Sequence, residues 1–333
     1  MGAAVRRPTA WWLWWRAALV PLVILTSTSL AVAEERYAII VAGASGGPGY
    51  AQQYNGWTRT LSQTLIERLG FDAAHVTTLS DTPSESAAAT AANLRRILAE
   101  RRSQLKPDDL LLVFLIGHGT FDGADAKFNL VGPDMEAAEW ATLLRGLPGR
   151  LVIVNGAPAS SPFIERLAGP RRIVISATDS VVQRFDTVFP EYFIAAFQEE
   201  AADIDKNGRT SLWEAFAWAA GAVRRFYQER GQLATERPLL DDNGDGVGRE
   251  ASAQGLDGAV ASRTYLAPAP EGAPPTDELL VELLHRRASL VAEVEELQVK
   301  KAFMSPDEFA REFERIMVAL ARVGREIRQR NPS

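Results

Sequence analysis

Apolar runs alternate with segments of helical period along most of the chain, the order produced by a parallel sheet flanked by helices. Tyr37 to Ala42 reads as a buried strand. Trp57, Leu61, Leu65 and Leu69 recur every four residues and stop at Gly70, which predicts a helix closed by a glycine C-cap. His75 to Leu79 predicts a second strand, and Ser86 to Arg102 a helix that turns Leu94, Ile97 and Leu98 inward. Leu110 to Ile116 contains no polar residue, so it belongs at the centre of the sheet with both faces covered. Leu151 to Val154 and Arg172 to Ser176 are the fourth and fifth strands, with a helix from Pro162 to Ala168 between them.

A Pro/Ala/Gly stretch, 267–275, reads as a linker. Beyond it, 276–333 predicts a helical hairpin. Its first helix carries Leu280, Leu283, Leu290, Val294 and Leu297; its second carries Phe309, Phe313, Ile316, Leu320, Val323 and Ile327 in a coiled-coil-like seam. Ser305, Pro306 and Glu308 mark the start of the second helix. Such a seam packs on its own partner helix or on the main domain, or else it offers a surface for self-association or a partner protein.

The first 33 residues have a different character. Arg6, Arg7 and Arg16 precede an apolar run from Ala17 to Leu25, and Ala31-Val32-Ala33 then leads into Glu34. Positive region, short apolar region and small-x-small exit are the marks of a cleaved secretory signal. The expectation is export to a periplasmic or extracellular place, with no stable membrane span after processing. Retention as an anchor is the rival reading, because Trp11, Trp12, Trp14 and Trp15 suit a bilayer interface. Removal of this segment takes away three arginines and no acid, so the net charge of −6 becomes −9. That balance points away from a nucleic-acid partner. The 333 residues include no cysteine, which excludes disulfides, thiolate metal sites and thiol nucleophiles together.

Gly43-Ala44-Ser45-Gly46-Gly47 matches the nucleophile-elbow pattern, but an elbow needs a helix directly behind its serine, and helical periodicity returns only near Trp57. A plain glycine loop is the expectation. Gly117-His118-Gly119 is sharper, because a histidine between glycines follows a central strand, where open α/β sheets build their sites. His75 and His285 fit ordinary structural histidines.

Arg36 to Gly43, the strand ending Ile116-Gly117-His118-Gly119, and Val152-Ile153-Val154-Asn155 together resemble the caspase–legumain–gingipain superfamily, nearest its legumain branch. The resemblance covers roughly 34–266 and implies a caspase-like α/β sheet. It also implies His118 as the base and Gly119 as part of an oxyanion hole, both vestigial without a thiol. At the cysteine, the family reads acidic-Ala-Cys-x-Ser-Gly, whereas this chain reads Asn155-Gly156-Ala157-Pro158-Ala159-Ser160-Ser161. Matching Ala157 and Ser160 places Pro158 at the nucleophile; a shift by one places Ala157 there. Neither side chain can attack a carbonyl. Ser160 or Ser161 remains as a speculative substitute nucleophile, given a base and an orienting group.

Asp203-Ile204-Asp205-Lys206-Asn207-Gly208-Arg209-Thr210-Ser211-Leu212-Trp213-Glu214 has the order of an EF-hand calcium loop. Asp203, Asp205, Asn207, Ser211 and Glu214 offer side-chain oxygens, Arg209 its carbonyl, and Gly208 the turn. Flanking helices are expected over Tyr192 to Glu199 and Leu212 to Tyr227. Asp241, Asn243 and Asp245 begin a second, weaker loop, after which Arg249 and Ser252 stand where ligands belong. The expectation is an exported, non-catalytic peptidase relative with an EF-hand-like calcium segment near 190–250. Such a protein would bind a peptide or protein in the former cleft. A serine hydrolase and a calcium-stabilised envelope scaffold acting through the hairpin are the alternatives.

Overall fold

The computed structural model describes residues 1–2, 34–81, 84–253, 257–268, 278–301 and 304–330; the expected signal segment and most of the expected linker lie outside them. Among the described residues, nine strands follow in chain order: β1 (Arg36–Ala42), β2 (Val76–Leu79), β3 (Leu110–Ile116), β4 (Gly119–Phe121), β5 (Ala126–Phe128), β6 (Met135–Glu136), β7 (Arg150–Asn155), β8 (Arg172–Ser176) and β9 (Leu239–Asp241). The main sheet has the order β2-β1-β3-β7-β8-β9. Its first five members are parallel, and β9 closes the edge antiparallel to β8. Side chains alternate between the faces of a strand, so a strand covered on both faces is apolar throughout. β3 is such a strand, fully buried along its length.

The helices are α1 (Pro48–Gln63), α2 (Ala91–Gln104), α3 (Ala137–Leu144), α4 (Pro162–Leu167), α5 (Phe189–Ala196), α6 (Leu212–Glu229), α7 (Glu278–Lys300) and α8 (Pro306–Arg330). One core sets Ile40, Phe114 and Val152 against α1, α5 and α6. The other sets Ile39, Val113 and Ile153 against α2, α3 and α4. The hairpin joins the first core, through Leu280, Leu283 and Leu284 of α7 and Ile327 of α8. Its own seam buries Leu290, Leu297 and Ile316.

Three helix starts differ from expectation, and α5 begins at Phe189 instead of Tyr192 because Pro190 in its first turn is preset for a helix. α1 begins at Pro48, not near Trp57, because proline in the first turn is preset for a helix and its first two turns bury only Tyr54. An exposed stretch shows no apolar period. α2 begins at Ala91, where the Thr90 hydroxyl accepts the Asn93 amide at 3.2 Å. Residues 85–87 before it form a turn closed by the Ala87 amide on the Ser84 carbonyl, and Ala88 is bridged to Ser80. The hairpins β4–β6, helix α3 and the edge strand β9 are too short to carry a legible period.

The register fixes where chemistry can gather. Ala42 lies beside Ile116, and Leu115 beside Asn155. The loops leaving β1, β3 and β7 therefore emerge at one end of the sheet, the end where open α/β folds place their sites.

Candidate functional site

His118 stands at that end, two residues past β3. Its Nδ1 lies 3.2 Å from Asp186 Oδ1, and its Nε2 lies 3.1 Å from the Ser45 carbonyl oxygen. Both partners are acceptors, and the tautomer of the imidazole decides which ring nitrogen donates to which. The Tyr54 hydroxyl is 3.4 and 3.3 Å from the two nitrogens, which places it over the ring face, and Tyr50 meets the ring edge-on at 4.8 Å. Burial pushes the Tyr54 phenol well up, with Asp186 adding to the effect. Tyr50 donates to the second Asp186 oxygen.

The glycine loop after β1 supplies Ser45. A helix does stand close behind it, contrary to expectation, but the Ser45 hydroxyl donates to Asp81 at 2.7 Å rather than facing His118. Tyr50, Tyr54, Asp81 and Asp186 were not singled out in the sequence. Tyr50 and Tyr54 share one face of α1 by their spacing, a signal hidden by the missing apolar period.

Gly119 faces the segment that leaves β7. A Cβ on Gly119 would collide with the Pro158 carbonyl and come within 3.2 Å of the Ala157 methyl group. The structure thus brings Gly119 beside both alternatives for the nucleophile position. Residues 155–160 are all buried. The Ala157 amide donates to the Asn155 side chain at 3.1 Å, and Pro158 has no amide hydrogen, so neither offers a free oxyanion donor. Ser160 is fully buried. Its hydroxyl accepts the amides of Ala177 and Thr178 at 3.1 and 3.2 Å and pairs with the Thr178 hydroxyl, so it ties β7 to β8. Ser161 precedes α4. Among the described residues, neither serine hydrogen-bonds to His118.

Residues 179–188 form a strap across this end of the sheet. The Gln183 carbonyl accepts the Ala159 amide at 3.1 Å, and Thr187 donates to the Gly156 carbonyl. Buried Glu236 anchors the strap by accepting the amides of Val188 and Phe189. Val182 and Phe185 on it are 75% and 74% exposed.

The predicted calcium loop lies between α5 and α6, after a short 3-10 turn at Glu200–Ala202. One carboxylate oxygen each from Asp203, Asp205 and Glu214 lies within 4.8 Å of the others. Asp205 and Glu214 are buried. Asp203 accepts the Asn207 and Gly208 amides, and Lys206 and Gly208 turn through positive φ. Glu214 also closes a capping box with Ser211 and accepts the amides of Ile204 and Asp205. Burial first, and Glu214 next, push the Asp205 carboxyl up to about 7. Burial likewise raises Glu214. This oxygen-only donor set, including the Asn207 side chain and the Arg209 carbonyl, fits a hard divalent cation.

In the second loop, Asp241 accepts the amides of Gly244 and Gly246, both at 2.7 Å. Asp257, which the sequence did not signal, joins Asp241 and Asp245. Arg249 donates to both Asp245 and Asp257, so a guanidinium already brings positive charge to this cluster. His285 packs at a tilt against Trp213 with ring centroids 4.6 Å apart, and His75 stacks on Tyr37 at 4.2 Å, as structural histidines do.

No family model matches the chain. A 62-residue stretch, 19% of the chain, is 39% identical to Metacaspase-4 of Arabidopsis thaliana and spans 15% of that protein's length. Among solved structures, a protein of Geobacter sulfurreducens is similar at 14% identity and a TM-score of 0.40, covering 65% of this chain and 97% of that one. The Drosophila initiator caspase Dronc is similar at 10% identity and a TM-score of 0.43, covering 63% and 80%. Among the described residues, no helix is long and apolar enough to cross a membrane.

Proposed function

We propose that the chain, which is similar to Metacaspase-4 over 62 residues, is an exported pseudopeptidase of caspase-like type. Its former cleft binds a peptide or protein, and its C-terminal half is held by a calcium ion. One observation carries the loss of turnover: the segment packed on Gly119 holds Ala157 and Pro158, in a chain without cysteine. Losing one oxyanion donor alone costs about 3 kcal/mol of transition-state stabilisation, before the missing nucleophile is counted. Burial of Ser160 weighs against a serine hydrolase. Exposed Val182 and Phe185 give the rim of the cleft an apolar surface suited to a peptide.

For calcium, the support is the convergence of three carboxylates, two of them buried, in the order of an EF-hand loop. Asp203, Asp205, Asn207, Arg209, Ser211 and Glu214 would hold the ion, which would offset the burial and the Glu214 repulsion that now raise Asp205. In the second loop, Arg249 serves in place of a cation.

Turnover is tested by assaying the purified protein, with calcium, on a diverse peptide library beside His118→Ala and Ser160→Ala/Ser161→Ala variants. No cleavage is expected from any of them. Cleavage by the unmutated protein that disappears in both variants would establish a serine–histidine enzyme and defeat the pseudopeptidase reading.

A further inference from the structure

The opposite end of the sheet holds a second feature, independent of the His118 cleft. β7 and β8 begin there, and α3 and α4 end there. Between them opens a cavity of about 480 Å³, lined by Arg145, Arg166, Arg171 and Arg172 and by no acidic residue. Four guanidinium groups converge in a protein whose net charge is −6.

Their present partners decide how much charge is left over. Arg172 is half-buried and donates to the carbonyls of Leu167 and Leu144, at 2.8 and 3.0 Å. These residues end α4 and α3, so the Arg172 charge is matched by the two helix C-termini. Arg166 reaches Asp125 only at 4.0 Å. Arg171 donates to the Pro107 carbonyl, a neutral group. Among the described residues, no acid pairs with Arg145, whose charge, after burial itself, helps hold Arg172 below its ordinary range. Arg171 also sits at a φ of 60°, a left-handed conformation that is uncommon for a residue other than glycine. Like charges are thus packed together beside a strained turn.

Among the described residues, Arg145 and Arg171 carry two positive charges with no ion-pair partner, and Arg166 carries a third with a distant one. A single carboxylate would leave most of that charge unbalanced, whereas a phosphate ester carries about −1.5 to −2 and three acceptor oxygens. Planar guanidinium forks match such oxygens better than ammonium groups do. We propose that this cavity is a binding site for a phosphate group, held between Arg145, Arg166 and Arg171 with Arg172 behind them. The group belongs either to a free phosphorylated small molecule or to a phosphorylated lipid headgroup.

The test titrates the purified full chain with inorganic phosphate and pyrophosphate by calorimetry, at low and raised salt, beside an Arg145→Gln/Arg166→Gln variant. Both arginines are exposed; Arg145 caps α3 through its backbone amide, which glutamine keeps, and Arg166 sits in the last turn of α4, so the variant should stay close to the unmutated melting temperature in the absence of phosphate. Binding that weakens with salt, and weakens about ten- to hundredfold in the variant, supports the site. A third arm uses phosphatidylcholine vesicles with and without phosphatidic acid. Co-sedimentation that needs phosphatidic acid and both arginines assigns a lipid headgroup; phosphate binding without co-sedimentation assigns a free ligand. The proposal is overturned if neither anion nor vesicle binds, or if the variant binds as well as the unmutated chain. Arg172→Gln is a weaker probe, because it also frees two helix-end carbonyls.

Discussion

Glu214 has two roles that need separating. Its carboxylate caps α6 through Ser211, and it closes the acidic loop onto Asp205. Replacing it with alanine removes the cap as well as the charge, so Glu214→Gln is the cleaner change. An exported protein meets ample calcium, and a Kd on the order of 10⁻⁴ M would suffice. At 100-fold excess over Kd the folded state would gain about 2.7 kcal/mol. The expected result is a melting temperature that rises with calcium and falls with chelator in the unmutated protein, and that responds to neither in Glu214→Gln. A melting curve of the unmutated protein that ignores calcium would sink the site.

At the scale of elements, the strap 179–188 depends on one buried acid. Glu236 accepts the amides at the start of α5 and the Tyr227 hydroxyl at 2.6 Å. Burial pushes its carboxyl above the ordinary 4.5. The native state therefore holds this proton more tightly than the unfolded chain does. Its stabilising contribution is complete below about pH 4.5 and is lost as pH rises through the higher folded value. Glu236→Gln cannot titrate. Urea unfolding of the two proteins across pH should show the glutamine variant gaining relative to the unmutated chain as pH rises past about 4.5. A difference that stays constant with pH would mean that Glu236 titrates alike in both states.

At the scale of the whole molecule, residues 34–333 form one compact unit, and the hairpin is part of it. Leu284 on α7 is 1% exposed within the main core, whereas Met317 on α8 is 43% exposed. Leu284→Ala should cost about 2–5 kcal/mol in denaturant unfolding, and Met317→Ala less than about 0.5 kcal/mol. Equal costs would mean that the hairpin is not seated on the domain. Export belongs to this scale too. Mass spectrometry of protein purified from the envelope should find a mature N-terminus at Glu34; an intact Met1 in a membrane fraction would favour an anchor instead.

Strands covered on both faces need unbroken apolar runs, so Tyr37–Ala42, Leu110–Ile116, Leu151–Val154 and Arg172–Ser176 were legible from sequence alone, and with them the α/β class. The lack of cysteine was equally plain, as was the order of oxygen-bearing side chains from Asp203 to Glu214, because those residues are contiguous in the chain and their spacing is visible there. The surroundings of His118 could not be read this way. Ser45, Tyr54 and Asp186 meet it from positions 73, 64 and 68 residues away, and no local period records such an encounter. The burial of Ser160, the Asp257–Arg249 pair and the four arginines at the far end of the sheet share that origin. Side chains distant in sequence are brought together only when parallel strands set their ends in register, so their chemistry was decided by the tertiary structure.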